Sequence, residues 1–221
     1  MSDKKLKFAI VLSGCGFLDG AEIQESTMTM LAVCEAGGTY QIFAPDIAQY
    51  HVINHLTGQP SAEVRNVLVE AARIARGKAR PLSEFKAREF DALLFPGGFG
   101  AAKNLSTFAF DGASCTVNAD VQASVQAMLK AGKPIGALCI SPAVIAKIVS
   151  GARVTVGADE EANEQIARMG SSAQNTGHGQ IVIDEEHKIV SAPCYMLESS
   201  VDEIALDARE MVKAVIRLAE R

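Results

Sequence analysis

A single thiol stands between a short apolar run and a proline in PIGALCISPA, residues 134–143. A nucleophile on a tight strand-to-helix turn needs small side chains two residues before and after it, because the strained backbone brings those positions together. Ala137 and Ser141 flank Cys139 in this way, and Pro142 suits the first turn of a helix, where its absent N–H is not missed. A helix N-terminus facing the sulfur favours thiolate over thiol, which is how a weakly acidic cysteine becomes reactive. The plain alternative is a core cysteine, since free cysteine is among the most buried residue types.

Two more corners bear on the same chemistry. LLFPGGFGAAKN, 93–104, places two glycines after an apolar run, freeing backbone N–H groups to point into a cleft and stabilise an oxyanion, although Gly-Gly also marks ordinary turns. LSGCGFLDGAEIQES, 12–26, spaces Gly14, Gly16 and Gly20 as G-x-G-x-x-x-G. Its next strand-end acid, Asp46, lies about 30 residues on where a dinucleotide fingerprint wants about 20, so no nucleotide cofactor is expected. The same corner supplies Glu22 at the mouth of a helix, where the terminal field favours a carboxylate; a simple capping role is the alternative. Cys15 is a candidate to line a pocket there, or to pack in the core.

The elements that must position these corners alternate. Residues 7–13 read as a strand, 22–36 as a helix with Ile23, Met30 and Leu31 among its periodic apolar positions, 39–45 as a strand, and 63–77 as a helix closed by Gly77. A third strand covers 91–98, a helix capped by Asn118 covers 118–133, and PIGALC is the fourth strand. After a short helix come a strand at 152–157, a helical stretch at 160–170, a β-hairpin over 180–193 turning at Glu185 and Glu186, and a last helix from Asp202 to Glu220. Residues 46–62 take no clear assignment and read as an insertion beside the site. Such alternation predicts a mainly parallel sheet with helices on both faces and a ligand beyond the carboxyl ends of the strands.

With 221 residues, 48% hydrophobic and 21% charged, the chain fits one globular domain over 1–221. A formal charge of -5 with scattered Lys and Arg excludes a nucleic-acid partner, and no apolar run reaches the length that spans a membrane. The start MSDKKLKFAIVLSGCG runs into a strand without a cleavage signal, so a cytoplasmic protein is expected. Five cysteines, Cys15, Cys34, Cys115, Cys139 and Cys194, form no C-x-x-C pair or metal-finger spacing, as free thiols in a reducing compartment would.

Taken together, SGCGFLDGAE, LLFPGGFGAAKN and IGALCISPA resemble the ElbB glyoxalase-like family of the PfpI and class I glutamine-amidotransferase-like superfamily, and HVINHLTGQ at 51–59 matches it too. The resemblance runs from Lys7 to Glu220. It implies an α/β, flavodoxin-like three-layer sandwich with a mainly parallel sheet and a small β-hairpin addition, assembled as a homodimer. It implies Cys139 as nucleophile, Glu22 as the acid beside it, and the backbone N–H groups of Gly98 and Ile140 as oxyanion donors. One departure matters: ARVTVGADE offers Gly157 where many relatives place a histidine, so a Cys-His-acid triad is in doubt. His51, His55, His178 and His187 remain outside candidates for a base, with His178 in the Gly-flanked NTGHGQ loop as a possible pocket residue.

The chemistry implied is addition of the Cys139 thiolate to a small α-oxoaldehyde, glyoxal or methylglyoxal, followed by a proton shift by Glu22 and hydrolysis to a hydroxy acid. This needs no metal, glutathione or nucleotide. Two other readings stand beside it: a thiol-based redox or electrophile sensor or regulatory binding module, and glutamine amidotransfer, which wants a histidine after the elbow.

Overall fold

Strand β1 (Lys7–Val11) feeds two cores at once. Phe8 and Ile10 join one buried cluster, while Ala9 and Val11 join the other. Burial on both faces is why the strands read as continuous apolar runs. The computed structural model describes residues 5–221.

From β1 the chain passes through α1 (Ile23–Glu35), β2 (Thr39–Ala44), a small hairpin of β3 (Ile53–Asn54) and β4 (Gln59–Pro60), α2 (Val67–Ile74) and β5 (Ala79–Pro81). The middle of the chain holds β6 (Ala92–Phe95), α3 (Phe99–Lys103), α4 (Phe108–Asp111), α5 (Ala119–Lys130), β7 (Ile135–Leu138) and α6 (Ser141–Ile148). It ends with β8 (Arg153–Val154), α7 (Glu160–Arg168), β9 (Ser172–Ala173), β10 (Val182–Asp184), β11 (Ile189–Ala192) and α8 (Val201–Ala219).

Seven strands form one sheet in the order β10-β11-β7-β6-β1-β2-β5, parallel throughout except for β10 against β11. Counted along the chain, the five central strands run 2-1-3-4-5, the flavodoxin-like order in which ligands bind at the carboxyl edge near the switch between β1 and β6. Helices α1, α2 and α8 cover one face, and α3, α5, α6 and α7 the other. The expected three-layer architecture and its hairpin, β10 with β11, are both present.

Three local expectations differ. The helix expected over 63–77 begins at Val67, because the Asn66 side chain accepts the Val69 N–H and caps it there. The strand expected at 152–157 shrinks to Arg153–Val154 and pairs with β9 outside the main sheet; beyond it, Thr155 N–H bonds the Ser191 hydroxyl instead of a ladder carbonyl. The short edge strand β5 carries no apolar alternation and escapes sequence reading.

Close backbone contact joins the first two corners. Gly100 N–H donates to the Gly20 carbonyl at 2.8 Å and Phe99 N–H to the Phe17 carbonyl at 2.7 Å, zipping the 16–22 loop onto α3. A Cβ on Gly100 would lie 2.6 Å from Gly20 backbone atoms and 2.5 Å from the Ser13 hydroxyl. In an exposed helix Gly→Ala gains roughly 0.5–1 kcal/mol, whereas overpacking costs about 1–3 kcal/mol, so the collision wins. Gly100→Ala is expected to lower the urea midpoint; an unchanged or higher midpoint would refute this packing.

Candidate active site

Leu138, the last residue of β7, hands the chain to Cys139 at φ 60°, a left-handed conformation that a non-glycine residue holds only under constraint. The constraints are visible. Cys139 N–H donates to the Ala192 carbonyl at 3.0 Å, the Ser141 hydroxyl donates to the Pro96 carbonyl at 2.7 Å, and the flanking Ala137 and Ser141 are buried. Pro142 falls in the first turn of α6, as its missing N–H allows.

The glycine pair after β6 meets the elbow directly. A Cβ on Gly97 would lie 2.4 Å from Cys139 Cβ and 2.8 Å from its sulfur, so only glycine fits. Gly98, at φ 94°, turns its N–H to the Cys139 sulfur, and the Ile140 N–H reaches the same atom. The two backbone donors implied for an oxyanion therefore converge on the thiol.

The acid beside the sulfur is Glu25, not Glu22. Glu22 is the N-cap of α1, its Oε2 accepting the Glu25 N–H at 2.6 Å. Glu25 begins the buried face of the helix, which continues through Thr29, Ala32 and Val33. Its carboxyl hydrogen-bonds the Cys139 thiol and accepts the Gly97 N–H at 2.8 Å and the Tyr195 N–H at 3.3 Å. The apolar positions used to phase this helix mislead, for Ile23 and Leu31 are 47% and 40% exposed. The signal that finds Glu25 is its spacing of four and seven from Thr29 and Ala32, one stripe of a 3.6-residue helix.

Burial raises the Glu25 carboxyl from its ordinary 4.5 to about 7, with the Glu22 charge adding to the rise and the bonds from Cys139, Tyr195 and Gly97 opposing it. Burial likewise pushes the Cys139 thiol well above 9.0, helped by the Glu25 charge and opposed by the Gly98 and Ile140 N–H groups. The helix N-terminus therefore does not by itself produce a thiolate, contrary to expectation. With the carboxyl raised to about 7 and the thiol higher still, the carboxyl loses its proton first; the two titrate as a coupled pair, and backbone N–H groups solvate whichever atom is charged.

A cleft of about 1050 Å³ opens above the pair. Phe17, Phe99, Phe108 and Phe110 give it aromatic walls, while Glu22, Asp111, Asp159 and Glu161 outnumber the single cation, Arg168. Among the described residues no histidine lines it, and no group of three or more His, Cys, Asp or Glu converges as metal ligands do.

Two residues expected near the pocket are elsewhere. Cys15 is half-buried and does not line the cleft, its thiol raised by burial and by the Glu70 charge. His178 clamps its loop to α8, with Nδ1 at 3.1 Å from the buried Asp207 carboxylate and Nε2 at 3.3 Å from the Glu198 carbonyl. Burial pulls its pKa down, but those two bonds outweigh it and the net shift is upward. His51, His55 and His187 are outside the cleft as well; His55 accepts the Leu18 N–H at 3.2 Å and braces the 16–19 loop from the β3–β4 hairpin, the strand-forming part of the 46–62 insertion.

No protein-family model matches the chain. Over 222 residues it is 44% identical to the human glutamine amidotransferase-like class 1 domain-containing protein 3, mitochondrial, covering 96% of this chain and 83% of that protein. The chain belongs to the glutamine amidotransferase-like class 1 family. A further family relative, the zebrafish mitochondrial ES1 protein, is 34% identical over 96% of this chain and 86% of its own. The crystal structure of an isoprenoid biosynthesis protein with amidotransferase-like domain from Ehrlichia chaffeensis superposes with a TM-score of 0.90 at 35% identity, covering 96% of this chain and 99% of that one. Drosophila DJ-1beta, at TM-score 0.55 and 16% identity over 98% of this chain and 97% of its own, shares the fold. The superfamily expected from the three corners is thus the one found. The cytoplasmic expectation is overturned, because the curated relatives are mitochondrial proteins.

The raised carboxyl has a consequence for stability. Between pH 4.5 and about 7 the folded state holds the Glu25 proton more tightly than the unfolded chain, so stability falls as pH rises through that window. Urea midpoints measured on either side should show this fall in the wild type and a much smaller one in Glu25→Gln. Equal pH dependence in both proteins would contradict the burial of an ionisable pair.

Proposed function

We propose that the chain is a cofactor-independent glyoxalase-like enzyme acting on small α-oxoaldehydes through a Cys139 hemithioacetal. The observation that supports this reading is the buried Glu25 carboxyl bonded to the Cys139 thiol at the floor of an open cleft, with two N–H groups on the same sulfur. Glu25 carboxylate takes the thiol proton as sulfur bonds to the aldehyde carbon. The Gly98 and Ile140 N–H groups hold the new oxyanion, which then recovers that proton.

Glu25, ionised again, removes the hydrogen on the former aldehyde carbon and returns it to the neighbouring carbonyl carbon, while the hemithioacetal hydroxyl gives its proton to the oxygen of that carbonyl and becomes the thioester carbonyl. The product is the thioester of a 2-hydroxy acid. Water cleaves it, releasing the acid and the thiol. A carboxyl poised at about 7 is matched to donating and accepting in turn. The excess of carboxylates over cations around the cleft favours a neutral substrate and expels the anionic product. Glyoxal fills little of this volume, so α-oxoaldehydes bearing an apolar or aromatic substituent fit the phenylalanine walls better.

Glutamine amidotransfer fits poorly, since the cleft offers a carboxyl where that chemistry uses a histidine base. The sensor reading differs from the enzyme in stoichiometry: a sensor is modified once at Cys139, whereas the enzyme turns over.

Steady-state conversion of glyoxal and methylglyoxal to the hydroxy acids tests the proposal. Cys139→Ala should abolish it and Glu25→Gln should slow it about 10²–10⁴-fold. Glu22→Gln keeps an acceptor oxygen for the Glu25 N–H and should stay within a few-fold of wild type. Turnover retained without Cys139, or loss at Glu22 that exceeds loss at Glu25, would overturn it.

A further inference from the structure

A second buried thiol adjoins the elbow and has no part in the chemistry above. Strands β7 and β11 are paired in parallel with Leu138 opposite Ala192, and Cys139 N–H closes the ladder onto the Ala192 carbonyl. Cys194 follows two residues later, in the 3-10 turn Cys194–Met196, so both thiols stand at the carboxyl ends of adjacent strands. They belong to the same buried cluster. Continued one step, that register sets Cys139 opposite Pro193 and one residue short of Cys194; with strands about 4.8 Å apart and about 3.3 Å per residue, a diagonal neighbour lies roughly 6 Å away, inside the roughly 4.4–6.8 Å that a disulfide allows between Cα atoms.

Cys194, like Cys139, is held at positive φ, 43°, and is fully buried. The backbone there suits glycine, yet the position carries a thiol. Cys139 lines the cleft and Cys194 does not, so a reagent entering from solvent meets Cys139 first. Glu25 lies between the two segments, bonded to the Cys139 thiol and to the Tyr195 N–H just after Cys194, and its charge acts on both sulfurs.

We propose that Cys194 is the resolving thiol of Cys139, closing an intramolecular disulfide when a hydroperoxide oxidises the elbow. The proposal rests on the reactive Cys139 of the function above. Cys139 sulfur attacks one peroxide oxygen; the S–O bond forms, the O–O bond breaks, and the departing oxygen leaves as water or alcohol with the thiol proton. Glu25 carboxylate then takes the Cys194 proton, the Cys194 sulfur attacks the sulfenic sulfur, and the hydroxyl leaves as water with the proton from Glu25. Two thiols are oxidised to one disulfide and the hydroperoxide is reduced; a dithiol reverses the change. The link protects Cys139 from irreversible over-oxidation and shuts down aldehyde turnover while it lasts.

The full chain is treated with hydrogen peroxide, unreacted thiols are alkylated under denaturing conditions, and unreduced peptides are read by mass spectrometry. The expected wild-type product is a peptide pair linked between Cys139 and Cys194, lost on treatment with dithiothreitol. Cys194→Ala and Cys194→Ser should instead accumulate sulfinic acid at Cys139, at least about fivefold more than wild type under the same dose. Sulfinic acid at Cys139 in wild type with no linked pair would overturn the resolving role and leave the nucleophile standing. An elbow that peroxide leaves untouched while Cys15 and Cys34 oxidise would overturn both.

Discussion

A carboxyl group with no exposure to water, pressed against a thiol that is 6% exposed, is the constraint around which the carboxyl edge of this sheet is arranged. Desolvation opposes the charged form of each group, and the Glu25 charge opposes the thiolate further. Charge is tolerated because four backbone N–H groups converge: Gly97 and Tyr195 on the carboxyl oxygens, Gly98 and Ile140 on sulfur. They come from three places: Gly97 and Gly98 after β6, Tyr195 after β11 and Ile140 at the start of α6. The parallel sheet brings those ends to one edge, and the switch in strand order leaves the crevice open above them.

The surrounding loops keep the pair in register. Gly97 lacks a side chain because the sulfur and the Glu25 oxygen occupy that space, and its carbonyl accepts the Glu22 N–H at 2.9 Å, fixing the entry to α1. Behind the first corner, Asn104 donates to the Ser13 and Asp19 carbonyls, each at 2.9 Å, and accepts the Tyr50 N–H at 3.0 Å. Asp19 in turn accepts the Ile53 N–H at 2.6 Å. The 46–62 insertion is thus tied to the loop that carries Phe17 into the cleft, which links a segment without periodic secondary-structure signal to the shape of the site.

How much of this is legible in the sequence follows from which forces are local. The elbow is readable because Ala137, Ser141 and Pro142 are demanded by backbone sterics within a few residues of Cys139. The strands are readable because burial on both faces makes them uniformly apolar, as in ALLF and IGAL. Glu25 is not readable from apolar periodicity, since the inward face of α1 opens with Glu25, Ser26 and Thr29 before Ala32 and Val33, while its outward face carries Ile23 and Leu31. Polarity inside and apolarity outside invert the usual signal, and they do so because this face points at chemistry. The state of the thiol is equally hidden, for burial and the nearby charge belong to tertiary structure while the helix terminus that suggests a thiolate is local. Where His178 faces is also beyond reach of local reading, because its loop is held by Asp207 and by the Glu198 carbonyl, which lie far along the chain.

The most direct measurement is the titration of the Cys139 thiol itself, followed as the pH dependence of its alkylation by iodoacetamide in wild type and in Glu25→Gln. A carboxylate that shares its proton with sulfur holds the thiol protonated, so replacing it by a neutral amide should move the Cys139 midpoint clearly downward. A midpoint that stays in place would show that the two groups do not sense each other, and the account of the site would fail with it.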